Sequence, residues 1–305
     1  MTSTLVNETA GDFADSYQHH RISSGGVTLH VVEAGPPDGT PVVLLHGFPT
    51  SWRLWREQIP ALAAAGHRVF AIDQRGFGDS DKPQRVEDYR ATRLMGDVVT
   101  VMNSLGVKRA HLVAHDWGAF VGWMLASLMP HRVDHFVVMS VGHPAVLARP
   151  TVEQRERSWY MLLYQFEEAE AILKRDNWRL LRDLYDGERD AAQFLADLRR
   201  PGALRAGLNW YRANRHPRLE LEKLPKLPPV QAPTLGIWGA GDKALAEEGM
   251  QLSGAHVAGP WRYVRVEDAG HYIPVDAPEV VSDLILSHLG SHAATEPVPV
   301  RRRRY

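Results

Sequence analysis

Cysteine is missing from all 305 residues, which excludes disulfide staples, thiolate nucleophiles and cysteine-ligated metal centres. The same absence fits a reducing compartment. Long apolar runs are missing too, none approaching the roughly 20 residues that a membrane-spanning helix needs. Charge of one sign is not in excess: 35 Lys and Arg stand against 36 Asp and Glu, for a formal net charge of -1. Nothing in that balance would hold a nucleic acid or an anionic membrane against a broad face. The stretch Met1 to Tyr17 is polar and acidic and lacks the basic start and apolar centre of a secretory signal. A soluble, cytoplasmic protein is expected, a monomer or homodimer without nucleic-acid or membrane partners. Basic charge is concentrated at Arg301-Arg302-Arg303-Arg304, behind Pro297 and Pro299, which reads as a solvated, disordered tail.

Hydrophobic residues make up 44% of the chain, and its length exceeds what one compact core usually holds. Residues 26 to 34 alternate at Val27, Leu29 and Val31, as an edge strand would. Unbroken apolar runs follow at Val42 to Leu45, Val69 to Ile72, His111 to Val113, Phe136 to Met139 and Thr234 to Trp238. Such runs suit strands buried on both faces of a parallel sheet. Stretches of helical period, such as 91 to 105 and 117 to 129, separate them. This alternation predicts an α/β fold, a mostly parallel sheet flanked by helices with ligands at the carboxyl ends of its strands. From about 148 to 225 the pattern becomes helical throughout and contains no strand-like run. The expected organisation is an N-terminal extension at 1–24, a core formed by 25–147 and 226–290, a helical cap at 148–225 inserted after the sixth strand, and a tail at 291–305.

Leu112-Val113-Ala114-His115-Asp116-Trp117-Gly118-Ala119 has the form of a sharp strand-to-helix turn that lifts one side chain clear of the sheet. Small neighbours are needed there because the lifted residue is strained and the helix packs close beneath it; the usual version is G-x-S-x-G. Here Asp116 occupies the nucleophile position. Hydrolases built this way place nucleophile, acid and histidine in that chain order. Asp242, after the Thr234 strand, and His271, after the Tyr263 to Val266 strand, complete it at the same sheet edge. Asp268 is a competing acid; its closeness to His271 in sequence suits it better to ordering that loop. His46-Gly47-Phe48-Pro49 follows the Val42 strand, so the backbone N–H groups of Phe48 and Trp117 are the candidate oxyanion hole.

A serine attacking a saturated carbon would leave an ether that is hard to cleave, whereas an aspartate leaves an ester whose carbonyl water can attack. Asp116 is ionised at neutral pH and needs no base to activate it. His271 is therefore expected to act only in the second half-reaction, deprotonating water while Asp242 steadies the imidazolium. The leaving group decides the substrate. A tyrosine can protonate a departing alkoxide, and the cap offers Ser158-Trp159-Tyr160 and Asn209-Trp210-Tyr211-Arg212.

On these motifs, together with Asp73-Gln74-Arg75-Gly76-Phe77-Gly78 and Gly270-His271, the chain resembles an epoxide hydrolase of the α/β-hydrolase superfamily over about residues 25 to 290. The resemblance implies the α/β-hydrolase fold, a small apolar epoxide and water as reactants, and neither cofactor nor metal. It implies Asp116 as nucleophile, Tyr160 and Tyr211 as donors to the epoxide oxygen, and Asp242 with His271 as the water-activating pair. Relatives usually continue after the first tyrosine through a Gln and a Pro-Gly turn; Gln165-Phe166-Glu167-Glu168 lacks that turn, which leaves Tyr164, one helical turn from Tyr160, as the alternative donor. Trp159, Tyr164 and Trp210 are the candidate substrate-binding aromatics. A haloalkane or haloacid dehalogenase would share Asp116, His271 and an acid. Haloalkane dehalogenases, however, usually carry Asn where Phe48 stands, and fluoroacetate dehalogenases arginines where Trp117 and Val121 stand. A non-catalytic small-molecule binding protein on the same fold is the reading from another class.

Overall fold

The computed structural model describes residues 16–215 and 226–290. The tail with Arg301–Arg304, residues 1–15 of the expected extension and residues 216–225 of the expected cap lie outside the described residues. Eight strands form one sheet in the order β1-β2-β4-β3-β5-β6-β7-β8. They are β1 Gln18–Ser24, β2 Val27–Ala34, β3 Thr40–Leu45, β4 His67–Asp73, β5 Ala110–His115, β6 Val133–Met139, β7 Thr234–Gly239 and β8 Trp261–Val266. Only β2 runs against the others; from β4 through β8 every pairing is parallel. The unbroken apolar runs became these inner strands, with β5 and β7 buried along their whole length. That is what helices on both faces of a parallel sheet require.

Two expectations at the amino end change. Residues 18–24, placed in the extension, form the edge strand β1, and β2 lies inside the sheet between β1 and β4. The alternation of β2 is misleading because its polar residues are buried as well. His30 Nδ1 lies 2.7 Å from Asp73 Oδ2, and Glu33 pairs with His20 and Arg68, each at 2.6 Å. A paired polar side chain reads as outward-facing in a sequence while lying against the core.

Helices α1 Gln58–Ala64, α2 Ala91–Ser104 and α3 Trp117–Leu128 follow β3, β4 and β5. Because the chain steps from β3 to β4 and then returns to the other side of β3 for β5, the carboxyl ends of β3 and β5 flank a topological switch point. A crevice opens where neighbouring connections diverge in this way. Between β6 and β7 the described residues form helices only: α4 Pro144–Leu147, α5 Val152–Arg157, α6 Trp159–Leu163, α7 Ala169–Leu184, α8 Ala191–Arg199 and α9 Ala203–Asn214. Helix α7 is broken at Arg175 to Trp178 by non-helical backbone. After β7 come α10 Glu247–Gln251, α11 Ile273–Asp276 and α12 Pro278–Gly290. No helix among the described residues is long and apolar enough to cross a membrane.

The helical segment is anchored to the sheet side by side chains reaching backbone. Asn214 Nδ2 donates to Tyr89 O at 2.8 Å while its Oδ1 accepts from Ala91 N at 2.9 Å. Trp210 Nε1 donates to Arg75 O at 3.0 Å, and Arg56 pairs with Asp190 at 2.6 Å. These contacts tie α9 to the segment after β4, and Tyr211 on α9 packs on Phe48 after β3 and Trp117 after β5.

Candidate active site

Asp116 closes β5 and opens α3 with φ 50° and ψ -122°, a left-handed backbone that a side chain other than glycine rarely adopts. Two glycines make that turn possible. A Cβ on Gly118 would lie 2.2 Å from Leu45 O and 2.6 Å from His46 O, so α3 starts in contact with the backbone at the end of β3. A Cβ on Gly47 would lie 2.1 Å from Asp116 Oδ1. The loop after β3 therefore approaches the carboxylate closely enough to hydrogen-bond it. Phe48 N donates to Asp116 Oδ1 at 2.7 Å, and the Trp117 amide also donates to this carboxylate. The two amides named from the sequence meet on one carboxylate.

The other oxygen, Asp116 Oδ2, faces His271 Nε2 at 3.6 Å. His271 Nδ1 lies 2.8 Å from Asp242 Oδ2, and Asp242 Oδ1 accepts from the amides of Ala244 at 2.7 Å and Leu245 at 2.9 Å. The structure thus brings Asp116, His271 and Asp242 together in a line. Asp268 is exposed and does not order the histidine loop as the sequence suggested; Asp276 does, accepting from Gly270 N at 2.8 Å. From below, His115 Nε2 and Ser140 Oγ each meet His271 O at 2.8 Å.

Burial alone would favour neutral groups here, and the charges overrule it. For Asp116, burial pushes the carboxyl up, but His271, by contact and by charge, and the Trp117 amide bring it below the ordinary carboxylate range. Burial lowers His271, but Asp242 and Asp116 raise it well above an ordinary imidazole. Both directions favour the ion pair of an Asp116 carboxylate and a His271 imidazolium. Burial, aided by the charge on His271, drives His115 down to about 4, so it stays neutral.

Tyr160, Tyr164 and Tyr211 gather over Asp116. Tyr164 and Tyr211 are buried and Tyr160 is half-buried. Ring centroids are 6.2 Å apart for Tyr160 and Tyr211, 5.0 Å for Tyr164 and Tyr211, and 5.6 Å for Phe48 and Tyr211. Burial first and the charge on Asp116 raise all three phenols, with neighbouring tyrosines adding to Tyr160 and Tyr211, so each keeps its proton at neutral pH. The charge on Asp242 also raises Tyr160.

A cavity of about 440 Å³, counting its open mouth, reaches Asp116 and Tyr211 between walls that include Phe120, Val141, Met161 and Leu245. None of the three aromatics expected to bind substrate lines it. Trp159 is 45% exposed at the start of α6, and its neighbour Met161 turns inward instead. Trp210 is fully buried beneath the site, its indole committed to Arg75 O. Tyr164 packs on Phe48, with ring centroids 5.9 Å apart. Phe120 and Val141 were discoverable from position, one turn past the elbow and just past β6. Met161, Gln154 and Arg215, which also line the cavity, carried no such signal.

The Asp73-to-Gly78 motif is a strut. Asp73 Oδ1 accepts from Trp52 N at 2.8 Å, and Oδ2 meets His30 Nδ1 at 2.7 Å and Asp79 N at 2.9 Å. His30, Asp73 and Asp79 present ligand atoms within 4.8 Å of one another, yet both oxygens of Asp73 are already taken by N–H donors. The cluster is thereby internally satisfied without an ion.

Comparison with known proteins gives a consistent relationship. The family profile described as "alpha/beta hydrolase fold" matches residues 40–278. The chain is 34% identical over 280 residues to the AB hydrolase superfamily protein YfhM of Bacillus subtilis, covering 88% of this chain and 96% of that protein. Against Epoxide hydrolase A of Mycobacterium tuberculosis it is 33% identical over 311 residues, covering 88% and 96%. A solved epoxide hydrolase from hot-environment metagenomes superposes with a TM-score of 0.81 at 31% identity, covering 90% of this chain and 99% of that one.

Proposed function

The chain belongs to the α/β-hydrolase fold family, with epoxide hydrolases among its relatives, and on that premise we propose that it opens an epoxide to a vicinal diol through an ester on Asp116. The observation that carries this reading is the division of labour between the two oxygens of Asp116. Oδ1 is held by the Phe48 amide, while Oδ2 faces His271, and Asp116 lines the cavity. Oδ2 attacks an epoxide carbon, the carbon–oxygen bond of the ring breaks, and the alkoxide takes a proton from Tyr211 or Tyr160. Residues 148–225 act as the cap that brings these phenols over a small, largely apolar substrate. In the resulting ester, Oδ1 is the carbonyl oxygen and already accepts from the Phe48 amide that will help stabilise its oxyanion.

The resting imidazolium cannot accept a proton, so His271 must lose one before it can act as base. Esterification supplies the cause. Once Asp116 is neutral, one of the two carboxylates that raise His271 is gone, its pKa falls, and its proton passes to the tyrosinate left by ring opening, which restores the phenol. His271 then takes a proton from water, which attacks the ester carbonyl carbon. Collapse releases the diol and restores the carboxylate with one oxygen from water.

A single turnover of an aryl or alkyl epoxide in heavy-oxygen water tests this route. Label is expected in Asp116, and the first diol released should carry an oxygen that began in that carboxylate. Label entering the diol directly from water would overturn the ester. Halide release from haloalkanes, with epoxides untouched, would favour a dehalogenase, and ligand-induced stabilisation without turnover would favour a binding protein.

The tyrosines are separable by the rate of ester formation. Tyr211→Phe should slow that step by about 10- to 100-fold, as should Tyr160→Phe, the scale of one general-acid contribution. Tyr164→Phe should change it by less than about threefold, because the variant keeps the buried ring and its packing while the donor roles lie with Tyr211 and Tyr160. A larger loss for Tyr164→Phe than for Tyr160→Phe would exchange their roles.

A further inference from the structure

The acid of the triad is held from the cap. Within its own turn, Asp242 is rigid: Oδ1 takes the amides of Ala244 and Leu245, and Asp242 N donates to Gly239 O at 3.1 Å. Residues 242–246 are then gripped by side chains from α5 and the residue that follows it. Arg157 Nη1 donates to Asp242 O at 2.5 Å and to Leu245 O at 3.3 Å. Ser158 Oγ donates to Ala244 O at 3.3 Å, and Gln154 Oε1 accepts from Ala246 N at 3.0 Å.

The grip is itself braced. Glu153, one turn earlier on α5, meets Arg157 Nε at 3.0 Å and Nη2 at 2.9 Å, leaving Nη1 for the turn. Gln154 Nε2 donates to Ser158 Oγ at 2.6 Å, and Thr151 Oγ1 caps the helix by accepting from Gln154 N at 3.2 Å. Gln154 and Leu245 also line the cavity. Gln154 on the grip and Leu245 on the turn thus belong both to the cavity wall and to the support of Asp242.

We propose that Arg157, with Gln154 and Ser158, is a positioning residue that clamps the 242–246 turn to the cap and so sets the contact of Asp242 with His271 for the ester-hydrolysis step. The kinetic part of this rests on the function proposed above. Its structural part does not. His271 is faced by Asp242 from the turn after β7, Asp116 from the elbow, His115 from β5, Glu188 from the segment before α8 and Asp276 from α11. Of these, the Asp242 contact is the one that depends on the clamp.

The test uses the full chain with Arg157→Met and Arg157→Lys. An NMR titration of the His271 imidazole, without substrate, should show its midpoint falling by about one pH unit or more in Arg157→Met, as a loosened carboxylate supports the imidazolium less. Arg157→Lys, which keeps one donor toward Asp242 O, should stay within a few tenths of wild type. In single turnovers, ester decay should slow by about 10- to 100-fold in Arg157→Met with its acid limb moved to lower pH, while ester formation stays within about twofold. An unmoved His271 titration, or formation and decay slowed alike, would overturn the clamp. Should Arg157→Met fail to fold, the Gln154→Leu, Ser158→Ala pair is the substitute, with a smaller shift in the same direction expected and an unmoved titration again decisive. If the wild type forms no ester from any epoxide, the proposed function fails, and the titration still decides the clamp.

Discussion

His271→Gln should load substrate and then stall. Glutamine keeps polarity and bulk in the pocket but cannot take a proton from water, so ester decay is expected to fall by about 10³- to 10⁴-fold, the scale at which a hydrolase loses its base. Mass spectrometry of the intact protein under substrate should find nearly every chain carrying one adduct, located on Asp116. An inactive variant with no adduct would show that His271 is needed for the first half-reaction, contrary to the roles assigned here.

A second signature follows from electrostatics. His271 is what brings Asp116 below the carboxylate range against the effect of burial. Without the imidazolium, burial raises the carboxyl, and a protonated Asp116 is no nucleophile. Ester formation in His271→Gln should therefore fall off on the acid side at a higher pH than in the wild type. The plateau is diagnostic, because the rate should level off once Asp116 is ionised, whereas loss of a first-step base would leave a rate that keeps rising toward alkaline pH.

Gly118→Ala should damage the fold more than almost any other single methyl. Its Cβ would meet the carbonyl oxygens of Leu45 and His46, backbone atoms of β3 and the loop after it that cannot swing aside as a side chain end can. Relief requires α3 to back away from β3, at the point where Asp116 already carries a left-handed backbone costing on the order of 1–3 kcal/mol. A loss of about 3–5 kcal/mol is expected, in the range of severe overpacking, with a fall in Tm of roughly 5–15 °C. Any folded fraction should be nearly inactive, because the same shift moves the Phe48 amide relative to Asp116. Gly96→Ala is the control. It sits inside α2 with nothing within 4 Å of a new Cβ, and should stabilise by about 0.5–1 kcal/mol. Equal melting curves for Gly118→Ala and wild type would mean that the elbow is not packed as described.

The chain's own residues made the scaffold legible wherever burial was uniform. β3, β4, β5, β6 and β7 are apolar because helices cover both faces, and no other environment asks for that composition. The elbow was legible for a related reason: a strained turn admits only small neighbours, so Gly118 beside a reactive side chain marks itself. At β2 this failed, because polar residues there are buried in pairs, and β1 is an edge strand whose polar residues are mostly exposed. Which partner His30 or Glu33 will find is decided by residues far along the chain, Asp73 and Arg68.

The cap shows where that limit lies. Helical period says which residues share a face of α6 or α9 but not what the face is turned toward. Trp159 was expected to hold substrate and is exposed, Trp210 was expected beside it and is buried on Arg75, and Met161 lines the cavity instead. The grip of Arg157 on the Asp242 turn joins residues 85 apart through backbone carbonyls, which carry no residue identity to read. By itself, then, the sequence determined the parallel sheet, the carboxylate at the elbow and the order Asp116, Asp242, His271, since each is written in local composition and spacing. Only the tertiary structure decided which oxygen of Asp116 is held, that Asp276 rather than Asp268 orders the histidine loop, and what the cap presses against. Those are matters of distance between segments remote in the chain, set by packing the whole molecule at once.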